Sequence, residues 1–340
     1  IPRRGIYDNM KTAVDKVARQ LGLSRLEVRR RNFIRSDQFP YLIPSGSEYD
    51  SGDYHTVLGK ARDLAQLDDL IARRDAARRV GKIAGIGIAT CLEPGGGNSA
   101  FEPLLNPKNE TTTWPESCVV KVDRTGGITA TIATSTSGQG HETLAATIIG
   151  EELGIDPDRV RVLHSDTLSG MPGNTPVASR MAIMLGGAAA GAAQKVRDRA
   201  ILIGAHNLGR SPDQVCYADG KVTALDDPSQ SLTLARIALI SHREFHNMPP
   251  GLSEPGMQVV HVMQVPKGGT LPTADGWVQM YPCYSFAAHI VYTEIDRLTG
   301  KVTLLDYIIA HDCGTVINPD IVRGMVIGGA AHGIGAALYE

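Results

Sequence analysis

Aromatic side chains make up only 5% of the 340 residues. That scarcity argues against a surface built to stack nucleic-acid bases, which relies on exposed rings. Neither sign of charge is in excess: 34 Lys and Arg against 36 Asp and Glu give a net charge of −2. A chain that grips a polyanion or an acidic membrane surface carries a basic stripe or tail, so no nucleic-acid partner is expected. Cysteine is sparse, and Cys91, Cys118, Cys216, Cys283 and Cys313 form no CxxC pair. This excludes an iron–sulfur or zinc site built from these cysteines alone, and it fits free thiols in a reducing, cytoplasmic compartment. No GxGxxG follows a strand with an acid about 20 residues on, which argues against a nicotinamide-dependent dehydrogenase. Long apolar runs are short of the roughly 20 residues that a membrane span needs, the longest weakly polar stretch being Met181–Ala193, so no span is expected. The opening residues, IPRRGIYDNM, hold neither an initiator Met nor a signal-peptide core. The chain is therefore expected to be a processed subunit or a piece of a longer polypeptide.

What is present supports a real core: 42% of residues are apolar, and the length suits two or three domains. Residues 1–80 read as a helical segment followed by an ordered loop. Met10, Val14, Val17, Ala18 and Leu21 share one helix face, and Ser24 with Glu27 has capping-box spacing for a second helix. The arginines of that second helix, Arg25, Arg29, Arg30, Arg31 and Arg35, suit either an anion site or a solvated basic face. Gln38–Tyr54 carries loop formers, and His55–Arg79 reads as one amphipathic helix.

Residues 81–240 switch to strands. Val119–Val122 and Ile128–Ile132 form a hairpin about Arg124–Gly127, then SGQGHET, a helix and the strand RVRVLH follow, a split βαβ-like order. Tyr217–Leu225 reads as a second hairpin. Residues 241–340 begin irregularly over Asn247–Trp277 and continue with the strand pair Tyr284–Asp296 and Lys301–Asp312. Together these elements predict an α+β fold of mixed sheets with packed helices.

Three stretches carry candidate chemistry. In SGQGHET, Gly138 and Gly140 place backbone N–H groups at a helix start, where they attract phosphates and oxyanions; Gln139 can donate an amide, and His141 and Glu142 can orient the turn. An ordinary tight turn and a structural His141 fit the same residues. In GNTPVASRMAIML, Arg180 sits where a cation opposes the helix dipole unless an anion lies alongside; a surface arginine ahead of a close-packed Gly/Ala helix is the alternative. Two Gly-rich helix starts together favour an extended anionic cofactor. The third stretch, Asp312–Glu340, packs glycines among small residues, so another backbone or a flat ligand can approach closely. Its last residue, Glu340, suits a general base if buried, because burial raises a carboxyl pKa, or is simply an exposed acid at a chain end.

The segments LGLSRLEVRRRNFI, FPYLIPSGSEYDSGDY, STSGQGHET, the Ala178-Ser179-Arg180 triplet and DCGTVINPDIVRGMVIGGAAHGIGAALYE occur in this order across nearly the whole chain. In that combination the sequence resembles the molybdenum-binding subunit of the xanthine oxidase family, on its aerobic carbon monoxide dehydrogenase large-subunit-like branch. The resemblance implies the second molybdopterin-binding domain of that family. It further implies a molybdopterin cofactor carrying molybdenum, in the cytosine dinucleotide form. Gly138, Gln139, Gly140 and the adjacent His141 would lie in the cofactor cradle, and Ala178, Ser179 and Arg180 in a second pterin-contacting loop. Glu340, as the glutamate of GxGxALxE, would be the active-site base, with no side chain bonding the metal. The implied reaction hydroxylates an aldehyde or N-heterocycle carbon with water as oxygen source, and carbon monoxide oxidation is the alternative substrate. A non-catalytic scaffold or binding subunit is the alternative role. Implied partners are a chain carrying the first molybdenum domain, an iron–sulfur subunit, an FAD subunit and a small-molecule substrate.

Overall fold

The computed structural model describes residues 11–96, 115–164, 166, 168, 171, 173–177, 179–252, 254, 256–265, 273–279 and 281–340. Along the chain run α1 (Lys11–Leu21), α2 (Arg25–Asn32), β1 (Tyr41–Leu42), β2 (Glu48–Tyr49), α3 (Tyr54–Leu64), α4 (Leu67–Arg79) and β3 (Ile83–Gly95). There follow β4 (Glu116–Val122), β5 (Ile128–Ile132), α5 (His141–Leu153), β6 (Val160–His164), α6 (Met181–Asn207), β7 (Val215–Ala218), β8 (Lys221–Ala224) and β9 (Ser231–Thr233). The remaining elements are α7 (Leu234–Arg243), β10 (Met257–Met263), β11 (Cys283–Ile295), β12 (Val302–Asp312) and α8 (Pro319–Leu338). Helices and sheets are both well represented, and the fold is α+β.

The described residues gather into two compact units. The first takes those of 1–95, 272–316 and 323–340. Its antiparallel sheet has the order β12-β11-β3. Ala84, Ile86, Ile88 and Thr90 alternate inward along β3 and are buried, the period of two expected of a strand with one covered face. Tyr54, Val57, Leu58, Ala61, Leu67 and Leu70 from α3 and α4 share one apolar cluster with that face. The single helix expected over His55–Arg79 is broken in two: Gln66 adopts φ 44° between α3 and α4, so both halves can turn Leu58 and Leu70 into the same cluster. The loop expected over Gln38–Tyr54 contains the small antiparallel pair β1–β2.

Ser24 caps α2 by accepting from Glu27 N–H at 3.1 Å. The reciprocal half of the expected capping box is replaced, because the Glu27 carboxylate turns to Arg30 and Arg31 at 2.8 and 2.6 Å. Arg25 and Arg29 pair with Asp15, and Arg35 with Asp37. All five arginines of the basic segment thus have acid partners inside the chain, and the solvated-face reading holds except at Arg29, which is buried.

The second unit takes the described residues of 96–271 and 317–322. Its sheet runs β10-β4-β5-β6, with β5 and β6 parallel and joined through α5. The strand–helix–strand order expected around SGQGHET is therefore present, as is the β4–β5 hairpin. The irregular region expected over Asn247–Trp277 contains the edge strand β10, which its prolines and glycines concealed. α6 runs to Asn207, and its small residues let the strand come close: a Cβ on Gly191 would stand 2.4 Å from the His261 ring, and one on Gly187 2.8 Å from Met263 Sδ. Val120, Val122, Ile132, Ile149, Leu185 and Ile203 are fully buried in the resulting core.

Among the described residues, α8 is long and apolar enough to cross a membrane by length and composition, and none of it is buried. This corrects the expectation that no stretch reaches that length. Glycine and alanine dilute the apolar signal, while Asp320 and Arg323 are the only charges in the helix.

Candidate active site

The turn between β5 and α5 is assembled locally. Gly138 and Gly140 sit at φ 98° and 77°, the left-handed region in which a side chain is strained. Gly140 immediately precedes α5 and has no side chain with which to cap it, and in the first turn the Glu142 carboxylate accepts from its own N–H. Among the described residues, a Cβ at Gly138 would meet nothing within 4 Å, whereas one at Gly140 would stand 2.8 Å from Ile321. The space beside Gly138 is thus open, and the backbone at Gly140 is pinned. Gln139 folds back across the turn, its amide oxygen accepting from Ser137 N–H at 2.5 Å and from the Thr136 hydroxyl at 3.2 Å.

His141 is turned into the protein. Its ring is 2% exposed, and Nδ1 lies 3.2 Å from the Ser135 carbonyl. Burial holds its pKa below the ordinary range, so the neutral ring donates to Ser135 and ties down the start of the loop. Glu142 meets His164 Nε2 at 2.6 Å, and His164 Nδ1 meets the Thr134 carbonyl at 2.9 Å. His164 was missed by sequence reasoning. Its signal was position: it ends the strand parallel to β5, and ligands in such units gather beyond the carboxyl ends of the strands.

The second expected segment is joined to this turn through Glu116, the first residue of β4. Arg180 Nη1 donates to Glu116 at 2.9 Å, and neither side chain has any exposed surface. Arg180 also donates to the Thr175 carbonyl at 3.4 Å and the Pro115 carbonyl at 3.3 Å. The anion required beside a cation at this helix start is thus supplied by the chain itself. Arg180 points inward to organise the loop and is not displayed to solvent. Burial pushes the Glu116 carboxyl up, against the pull of Arg180. Asn174 N–H approaches the same carboxylate at 3.5 Å, and Ala133 N–H donates to Ser117 O at 3.2 Å. The loop before α6 and the loop before α5 therefore leave from the same end of the β4–β5 pair. Ser179 holds φ 49° and accepts from Gly96 N–H at 3.4 Å. Ala178 lies outside the described residues.

Glu340 belongs to the first unit, follows α8 and is exposed. Among the described residues, Cβ atoms built on Gly324, Gly328, Gly329, Gly333 and Gly335 would meet nothing within 4 Å, so the close packing expected of this segment is not made by them. Among the described residues no cluster of three or more His, Cys, Asp and Glu side chains is placed to hold a metal. Cys118, beside Glu116, is buried and its thiol is pushed up to about 12, which makes it a packing group and not a nucleophile.

Residues 60–340 match a family model described as a molybdopterin cofactor-binding domain. The chain is 34% identical to the carbon monoxide dehydrogenase large chain of Hydrogenophaga pseudoflava over 96% of its own length and 38% of the relative's. It is 28% identical to the nicotine 6-hydroxylase large subunit of Paenarthrobacter nicotinovorans, over 97% of itself and 38% of that protein. The solved structure of quinoline 2-oxidoreductase from Pseudomonas putida 86 superposes with a TM-score of 0.81 at 28% identity, covering 96% of this chain and 39% of that one. The chain thus spans well under half the length of these relatives.

Proposed function

Because the chain belongs to the molybdopterin cofactor-binding domain family, within the molybdenum-binding subunits of the xanthine oxidase family, we propose that it forms part of the molybdenum site of a hydroxylase. The observation that carries this reading is the start of α5. Two left-handed glycines, a helix start with no N-cap side chain and, among the described residues, open space beside Gly138 fit a bulky anionic group such as a pterin pyrophosphate. Gly138, Gln139 and Gly140 would hold that group, the cytosine dinucleotide form being our assignment. His141, Ser179 and Arg180 would act from behind, by fixing the two loops, and Ala178 is assigned by its place in the motif. Bound there, molybdenum in its pterin ligand would supply two-electron oxidation of a substrate carbon with water as oxygen source.

Glu340 is the base in this reading by its place in the GxGxALxE motif, to take a proton from the reacting oxygen; it is exposed among the described residues, so burial does not prepare it for that role. The N-heterocycles for which the nicotine and quinoline relatives are named support an N-heterocycle substrate, with aldehydes in the same chemical class of electron-poor carbon. The carbon monoxide dehydrogenase relative favours the alternative substrate. Electrons would pass to iron–sulfur and FAD centres on partner subunits, beside a further molybdenum-domain segment, in a cytoplasmic hetero-oligomer. The test is to assay molybdenum and released pterin nucleotide on the intact protein, with turnover on heterocycles, aldehydes and carbon monoxide in parallel. About one pterin per chain with heterocycle oxidation is the expected result. Neither metal nor pterin would leave only a scaffold role.

A further inference from the structure

One imidazole ring closes the turn ahead of α5 from both ends. His164 Nδ1 faces the Thr134 carbonyl at 2.9 Å and Nε2 faces a Glu142 carboxylate oxygen at 2.6 Å. Both partners are acceptors. A neutral imidazole offers one donor and one lone pair, so the two contacts are hydrogen bonds together only when both nitrogens carry protons. Thr134 lies two residues beyond β5 and Glu142 lies in the first turn of α5, so Thr136–Gly140 is a loop whose two ends share one imidazolium.

Glu142 adds a second consequence. A carboxylate in the first turn competes with an incoming anion for the same N–H groups and repels it. Paired with an imidazolium, that carboxylate, which also accepts from its own N–H, has its charge offset. Nothing else titratable performs this office among the described elements packed on β6. β5 contributes Ile128–Ile132, which has no titratable side chain. On α5, His141 is bonded to Ser135 and interacts electrostatically with both Glu142 and His164, but burial disfavours its charged form, while Glu151 and Glu152 lie roughly 15 Å further along the helix.

We infer that His164 is a positioning residue for the cofactor: as an imidazolium it clamps the ends of the Thr136–Gly140 turn and offsets Glu142, making retention of an anionic pterin nucleotide dependent on protonation. This deepens the cofactor assignment and rests on it. The bonds to the Thr134 carbonyl and to Glu142 raise the imidazole above its ordinary value of 6.5. With the folded value raised, the clamp is complete below about 6.5 and is lost as pH rises through the raised value.

The test uses the intact, cofactor-loaded protein, with the rate of pterin nucleotide loss on dilution measured between about pH 6 and about pH 9. In parallel, hydrogen exchange of amides 135–140, corrected for the intrinsic rate, is followed over the same range. The parent is expected to lose pterin more slowly at the acid end, and its loop amides to be better protected there. His164→Gln keeps one donor and one acceptor but no charge, so it is expected to lose pterin on the order of tenfold faster at the acid end and to show little pH dependence. Glu142→Gln, which removes the carboxylate and keeps an acceptor, is expected to flatten the same profile. Flat profiles for the parent, or a His164→Gln protein that matches the parent at both ends, would overturn the inference while leaving the cradle in place. A parent that holds pterin at no pH overturns the cradle itself, and the inference with it.

Discussion

Replacing Arg180 with Met removes the cation from a pair in which neither side chain has any exposed surface. Met keeps an unbranched chain in the same space, so the change reports on charge and hydrogen bonding more than on volume. Contacts from Arg180 to Glu116, Thr175 O and Pro115 O are lost together. Glu116 remains fully buried, and the group that held its carboxyl down is gone. Removing one partner of a buried pair costs about 3–5 kcal/mol, because the other charge is left uncompensated. In native-state hydrogen exchange of β4 and the first turns of α6, that loss corresponds to roughly two to nearly four powers of ten in rate. The pH dependence has a definite sign. Burial already raises the Glu116 carboxyl above its ordinary 4.5, and without Arg180 it rises further. A folded value above the unfolded one stabilises at low pH and is lost as pH climbs through it, so the variant's deficit should be smaller near about pH 5 than near about pH 8. Arg180→Met with Glu116→Gln leaves neither charge and should be less destabilised than the two single changes summed. Exchange within threefold of the parent at both pH values, or strict additivity of the singles, would show that the pair does not organise this end of the sheet.

Gly191→Ala should lower the thermal midpoint through overpacking of about 1–3 kcal/mol, since its Cβ would stand 2.4 Å from the His261 ring; an unchanged midpoint would mean that β10 yields freely. Gln139→Ala deletes the acceptor for Ser137 N–H and the Thr136 hydroxyl, so pterin should be lost faster on dilution, and a parental pterin content after dialysis would count against the cradle role. Glu340→Gln should abolish turnover while molybdenum content stays near parental; oxidation at the parental rate would remove Glu340 from the chemistry.

Much of the second unit was legible because its signals are local. The β4–β5 hairpin is announced by a polar turn between two apolar runs, and the helix after Gly140 by the switch from period two to a helical stretch. The break between α3 and α4 left no such mark: Ala65-Gln66 contains neither Gly nor Pro, and only tertiary packing of both halves on one sheet face explains Gln66 at φ 44°. β10 was hidden for the opposite reason, being a strand among loop-forming residues that gains its order from β4 and from the glycines of α6.

The candidate site divides along the same line. Gly138 and Gly140 are glycine for reasons internal to the turn, so the turn can be found from its own residues. Arg180 cannot be understood from its neighbours, because the acid that answers it, Glu116, lies 64 positions earlier and reads in sequence as one more polar residue before a strand. The dipole argument asked only for an anion alongside a cation at that helix start, and left a surface arginine as the alternative. Finding that anion within the chain changes the role Arg180 can play. A guanidinium already paired with a buried carboxylate contributes little net charge to a ligand outside, so in the proposed cradle the attraction for an anionic cofactor is assigned to the start of α5 and to His164 beside it. In that proposal the two Gly-rich helix starts divide the work: one faces the anionic group, and the other, through Arg180 and Glu116, anchors its loop against the first strand of the same sheet.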